Sequence, residues 1–155
     1  MWIPPEIRDP VIKHHPTRKS IGYFGAVRLR DGRFLYRKEE GKFNAGTFWD
    51  FLKQLRRSAC KSGRKVYVIS DNARYHHAAL HKEWRSDNSD QFSIGFLPPY
   101  SPELNPIERV WKLVRRMCLH NCYFPDLELV SESVEKLFVG WGKSSDDLRR
   151  LCAIT

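Results

Sequence analysis

The spacing of apolar residues along this chain changes period several times, and each change marks an element. Ser20 to Leu29 (Ser-Ile-Gly-Tyr-Phe-Gly-Ala-Val-Arg-Leu) is strand-like, Asp31-Gly32 is a hairpin-turn signal, and Phe34-Leu35-Tyr36 begins a return strand. Asn44 reads as an N-cap. Phe48, Phe51, Leu52 and Leu55 then recur at helical spacing, with Lys and Arg towards the end, where the helix dipole favours cations. Ser62-Gly63 ends that helix. The four consecutive apolar residues Val66 to Ile69 predict a strand buried on both faces, as in α/β sheets. A short helix over 78–86 and a strand from Phe92 to Leu97 follow. A long helix runs from Asn105 to about His120, with Ile107, Trp111, Val114 and Cys118 as its core stripe, widened by Val110 and Met117. Closing helices are predicted over 127–139 and 145–152. Residues 1–18 are rich in proline and charge, show no period, and read as an irregular arm. No internal repeat or low-complexity tract is present. The order of elements is that of an α/β domain.

Composition narrows the class. The chain has 155 residues, 41% hydrophobic and 13% aromatic, which is one domain with material for a core. Lys and Arg total 27 against 18 Asp and Glu, a net charge of +9 with a pI near 9.6. Such a surplus favours a polyanionic partner through phosphate neutralisation and counterion release. No window approaches eighteen uninterrupted apolar residues, and the N-terminus lacks the pattern of a signal peptide. The expected location is therefore the cytoplasm, with no membrane partner. Cys60, Cys118, Cys122 and Cys152 are too few for a disulfide framework and suit a reducing compartment. Cys118-Leu119-His120-Asn121-Cys122 matches no common zinc spacing, and Cys118 continues a core stripe. His14 and His15 read as exposed side chains rather than ligands.

Two segments hold candidate chemistry. In Val66-Tyr67-Val68-Ile69-Ser70-Asp71-Asn72-Ala73-Arg74-Tyr75-His76 a carboxylate ends an apolar strand, where open α/β sheets place their ligand sites. In Phe96-Leu97-Pro98-Pro99-Tyr100-Ser101-Pro102-Glu103-Leu104-Asn105-Pro106-Ile107-Glu108-Arg109-Val110-Trp111 a second carboxylate opens a helix after a proline-stiffened loop. Taken singly, each acid has a plainer reading. Asp71-Asn72 can form an Asx turn. Asn105, Pro106 and Glu108 have the pattern of a capping box, and Lys112 lies four residues beyond Glu108, at ion-pair spacing. Lys112 and Arg115 share a face with Glu108, with Arg116 close by; they are either phosphate contacts beside the acids or a solvated basic face.

Together the two segments resemble the second and third acids of DDE transposases of the Tc/mariner-like superfamily, in its bacterial insertion-sequence branch. That family carries Asp-Asn-x-x-x-His and then Pro-Tyr-Ser-Pro-x-Leu-Asn-Pro-Ile-Glu-x-x-Trp; here these are Asp71 to His76 and Pro99 to Trp111. The resemblance implies a ribonuclease H-like mixed sheet flanked by helices. It implies that Asp71 and Glu108 are catalytic metal ligands and that Asn72 and His76 shape the site. It implies two Mg2+ or Mn2+ ions, DNA as partner, and strand cleavage and strand transfer as the reaction. Hard oxygen ligands suit such ions, which clamp the attacking and leaving oxygens about 4 Å apart.

The family's first Asp, on a strand upstream, has no counterpart: Asp9 precedes Pro10 in a proline-rich stretch unsuited to a central strand. The family's N-terminal helix-turn-helix region is missing as well. The resemblance thus implies a C-terminal part, with an arm over 1–18, a truncated catalytic domain over 19–124 and a helical tail of the same domain over 125–155. The missing strand would sit mid-sheet beside the Asp71 strand, and its loss would expose sheet edges. With two acids of three, weak metal binding and no activity alone are expected, and an upstream transposase fragment or a second copy is the expected partner. The alternative function is an inactive remnant that binds DNA nonspecifically or associates with full-length transposase.

Overall fold

The computed structural model describes residues 20–59 and 63–154. The expected arm over 1–18, with Asp9, His14 and His15, lies outside these residues, as do Cys60 and Ser62. The chain runs β1 (Gly22–Val27), β2 (Phe34–Glu39), α1 (Ala45–Ala59), β3 (Val66–Ser70), α2 (Lys82–Asp87), β4 (Phe92–Phe96), α3 (Pro106–Val114), α4 (Leu127–Gly140) and α5 (Asp146–Leu151). Single 3-10 turns at Arg74–His77, Ala79–His81 and Pro102–Leu104 connect them.

The first hairpin closes where its turn residues demand. Asp31 and Gly32 both donate to the Arg28 carbonyl, and Gly32 has φ +68°. A Cβ there would also lie 2.0 Å from the Ser145 carbonyl oxygen, so only glycine fits. Asn44 caps α1 by accepting from the N–H groups of Gly46 (2.9 Å) and Thr47 (3.0 Å).

The sheet is in two pieces. β1 pairs antiparallel with β2, and β3 pairs parallel with β4. Among the described residues no strand lies between β1 and β3; a cavity of about 470 Å³ does, lined by Tyr23 to Val27 and by Val66 to Ser70. The mixed α/β architecture is the one the sequence leads to expect.

Two cores flank the gap. One joins β2 to α3, α4 and α5 through Phe34, Val110, Val114, Phe138, Leu148 and Cys152. The other packs Phe48, Phe51, Leu52 and Leu55 of α1 against Phe24 and Phe92. Two expectations need correcting. β3 is not buried on both faces: Val66 and Val68 turn to α1, while Tyr67 and Ile69 are 66% and 47% exposed, because no described element covers their side. Met117 is exposed rather than core, because Arg115–Leu119 is a π turn, in which His120 donates to the Arg115 carbonyl (2.9 Å). The wider turn shifts the stripe's phase, keeping Cys118 inside and swinging Met117 out. No described helix is long and apolar enough to cross a membrane.

Candidate active site

Asp71 follows the last residue of β3, so its position is set by the parallel pairing with β4. Leu97 N–H donates to the Ser70 carbonyl (2.9 Å), and Asn72 Nδ2 donates to the Leu97 carbonyl, which ties the two strand ends together. Asn72 Oδ1 lies 2.9 Å from His77 Nε2, whose ring stacks near Phe96. Asn72 therefore fixes the loop and does not point at the cavity's other acid.

The Asx turn is real: Ala73 N–H donates to Asp71 Oδ1 at 3.2 Å. The same oxygen receives His76 Nδ1–H at 2.8 Å, and that nitrogen also lies 2.9 Å from the Asp71 carbonyl and 3.1 Å from Ser70 Oγ. His76 is buried, its ring 4.1 Å from Phe48 and 4.5 Å from Tyr75. Through Nδ1 it holds Asp71 in place. The hydrogen bond from His76 keeps the Asp71 carboxyl below the usual range, against the opposing effect of burial and with help from Ala73 N–H. Asp71 is thus ionised at neutral pH, and its Oδ2 takes no hydrogen bond from the described residues.

Glu108 arrives from the opposite side. Its helix begins at Asn105, whose buried side chain accepts from Ile107 N–H (3.4 Å), with Pro106 at the first helical position. Helix α3 lies against β1 at Gly25, where a Cβ would sit 2.6 Å from the Trp111 ring; the glycine lets the helix approach. Ile107, Glu108 and Trp111 then line the cavity that Asp71 and His76 also line. Neither plainer reading of Glu108 is realised. Asn105 N–H donates to Pro102, not to the Glu108 carboxylate, and no ion pair joins Glu108 to Lys112. Among the described residues the Glu108 carboxylate has no partner.

The two acids are hard oxygen donors, the kind Mg2+ or Mn2+ takes, but their number is short: no group of three or more His, Cys, Asp or Glu side chains among the described residues could hold an ion. Lys112, Arg115 and Arg116 are exposed and make no ion pair among the described residues. Sequence reading placed Asn105 as the cap of α3 but missed Ser70 and His81. His81 is fully buried, donates Nε2–H to the Tyr75 carbonyl (2.9 Å), and its Nδ1 has no partner among the described residues; burial holds its pKa below the ordinary value. Its place in a short turn, with no apolar period around it, gave no signal of burial.

The model of the DDE superfamily endonucleases matches residues 1–131 of this chain. An uncharacterized protein, y4pE/y4sA of Sinorhizobium fredii (strain NBRC 101917 / NGR234), is 31% identical over 105 residues, covering 68% of this chain and 71% of that protein. Among solved structures, the Mos1 mariner paired-end complex with Mn aligns with a TM-score of 0.70 at 18% identity, covering 98% of this chain and 46% of that one. The Mos1 strand transfer complex aligns with a TM-score of 0.66 at 20% identity, covering 98% and 44%. The chain thus spans less than half the length of those transposase chains. Its described elements have their ribonuclease H-like fold, and the chain belongs to the DDE superfamily endonucleases.

Proposed function

We propose that this chain contributes the second and third acids, Asp71 and Glu108, of a metal-dependent site for DNA strand cleavage and strand transfer in transposition. The observation that carries the reading is that these two acids, from two different elements, line one cavity, with Asp71 Oδ2 and the Glu108 carboxylate without partners among the described residues. Asp71 and Glu108 would hold Mg2+ or Mn2+, which when bound stabilises charge on the oxygens of the scissile phosphodiester. The chain's own residues do the positioning. His76 and Ala73 orient Asp71, and the Asn105 cap with the Gly25–Trp111 contact aims Glu108. No third carboxylate joins these two among the described residues, and two acids by themselves would bind metal weakly and support little cleavage. DNA is the partner, met in the cytoplasm, and the exposed Lys112, Arg115 and Arg116 are the contacts proposed for its phosphates.

The test is a plasmid-nicking assay in Mg2+ and in Mn2+, with the full chain joined to an upstream polypeptide that supplies an acid-bearing strand. Cleavage is expected for the joined protein, and Asp71→Asn or Glu108→Gln should abolish it while leaving DNA affinity unchanged. Full cleavage by either variant refutes the assignment.

The basic surplus favours a second reading, a remnant that holds DNA nonspecifically or associates with a complete transposase. It predicts no cleavage in any joined form, and DNA binding whose log affinity falls with log salt by roughly 0.9 per phosphate neutralised.

A further inference from the structure

A second cavity, of about 270 Å³, is lined by α2, the turn after it and β4, and shares no residue with the cavity of the two acids. Its polar lining is Lys82, Arg85, Ser86, Ser89 and Ser93, with no carboxylate among them. Local sequence explains why these side chains gather. Lys82, Arg85 and Ser86 fall three and four residues apart, which puts them on one face of α2. Trp84 anchors the helix from the opposite face, packing edge-on against buried Phe92 with 5.8 Å between centroids. The turn is then tied to the strand. Ser89 N–H donates to the Ser86 carbonyl (3.1 Å), Phe92 N–H to the Asn88 carbonyl (2.8 Å), and Ser93 Oγ to the Ser89 carbonyl (3.2 Å).

The donors around this cavity are unspent. Neither Lys82 nor Arg85 makes an ion pair among the described residues, and the hydroxyls of Ser86 and Ser89 have no partner there. Arg85 is not a freely solvated side chain. Its guanidinium lies over the Phe96 ring, 5.9 Å from the centroid, and its Nε is closed off from solvent with no hydrogen-bond partner among the described residues. Held in this way, the planar fork loses little rotamer freedom when an acceptor arrives. The backbone adds one donor. Val66 N–H donates to the Gln91 carbonyl and Leu97 N–H to the Ser70 carbonyl, so Ser93 and Gly95 turn their backbone groups to β3 and Ile94 turns its N–H away. That N–H has no partner among the described residues either. Two like charges three residues apart on a helix repel each other, and an anion between them turns that repulsion into shared attraction.

We infer that α2 and β4 form a binding site for a single phosphate group, which Lys82 and the Arg85 guanidinium neutralise while Ser86, Ser89 and the Ile94 N–H supply further hydrogen bonds. Two cations with several neutral donors match an oxyanion that carries more than one charge and three or four acceptor oxygens. A carboxylate, with one charge and two oxygens, would leave one cation and most of the donors unmatched. Two sources present a phosphate group: the backbone of a DNA strand, and a free phosphate monoester such as a nucleotide. The site lies apart from Lys112, Arg115 and Arg116, which belong to α3 and the turn after it. It goes beyond the reading above and depends on neither Asp71, Glu108 nor any metal.

The test is a titration of the full chain with inorganic phosphate, exchanged for chloride at constant ionic strength and followed by backbone amide NMR shifts. Saturable shifts are expected at Ser86, Ser89 and Ile94, with a Kd on the order of 1 mM. Lys82→Gln and Arg85→Gln should each weaken binding about tenfold. Lys82 is exposed, so its variant reads binding without disturbing the packing on Phe96. Arg85→Lys keeps the charge but not the fork and should recover only part of the loss. The proposal is overturned if Ile94 shows no saturable shift, or if Lys82→Gln binds phosphate as tightly as the parent. A short DNA duplex then separates the two sources. Competition by phosphate, with a log–log salt slope lowered by about 0.9 in either Gln variant, assigns the site to the DNA backbone. An unchanged slope beside an intact phosphate titration assigns it to a free phosphate monoester. No cleavage is measured and no metal is added, so a failure here and a failure of the nicking assay are separate results.

Discussion

The two halves of the molecule use similar amounts of apolar sequence to different effect. In the half built from the β1–β2 hairpin and α3, α4 and α5, Phe34, Val110, Phe138, Leu148 and Cys152 are at most 2% exposed, and the outer edge of β2 is closed by Trp141. In the half built from β3, β4 and α1, the described residues cover only one face of the strand pair, and Tyr67 and Ile69 are exposed. The run Val66 to Ile69 is no less hydrophobic than Phe34-Leu35-Tyr36. What differs is the neighbour: burial belongs to a pair of surfaces, and among the described residues β3 has only one.

The sharpest way to break this contrast is a pair of truncations. Phe138 contacts Tyr23, Phe34, Tyr36, Trp111 and Trp141, so Phe138→Ala removes the centre of the closed core. It should cost about 3–5 kcal/mol in urea unfolding. Ile69→Thr, on the open face, should cost no more than about 0.5 kcal/mol. Comparable losses would mean that the β3 face is covered in solution and that the two halves are not different in kind.

The same contrast explains what the sequence could and could not reveal. Local signals were readable: the Asn44 cap, the Asp31-Gly32 turn, the helical spacing of Phe48 to Leu55, and the acids in their motifs. Each depends on residues close along the chain. The exposure of Tyr67 and Ile69 was not readable, because it depends on a neighbour that no local pattern encodes. Nor was the π turn that swings Met117 out, since six apolar residues at α-helical spacing predict an unbroken stripe. At the site, the motif named Asp71 and His76, but only coordinates show that His76 and Ala73 engage one oxygen of Asp71, or that Glu108 caps nothing. Buried His81 had no periodic context to betray it.

Caps test the contrast at smaller amplitude. Asp126 caps α4 in the closed half by accepting from Leu129 N–H at 2.9 Å, and Asn44 caps α1 in the open half. Asp126→Ala and Asn44→Ala should each cost about 1 kcal/mol. The first loss is expected in the global melt. The second is expected mainly as faster amide exchange in α1, because a half packed on one face opens locally before the whole unfolds. Equal global losses would make the two halves one cooperative unit.

The smallest effect concerns Tyr23, which joins the halves: it lines the cavity between β1 and β3 while its ring packs edge-on against Phe138 in the closed core, 5.3 Å between centroids. Its hydroxyl lies 2.8 Å from Ser131 Oγ and donates to Glu135 Oε1 at 3.1 Å. Burial, with the Glu135 charge adding and the Ser131 hydrogen bond opposing, pushes its pKa up to about 12 from an ordinary 10.0. A folded value above the unfolded one means the neutral phenol stabilises the fold. That contribution is complete below pH 10 and is lost as pH rises towards 12. Tyr23→Phe keeps the ring contact and removes the titration. The melting temperature of the parent should therefore fall towards that of Tyr23→Phe between pH 10 and 12, the shared contributions of Tyr36 and Tyr75 cancelling in the difference. Parallel melting curves across that range would show that the phenol is solvated. The start of β1 would then belong with the open half, and the closed core would begin only at Phe34.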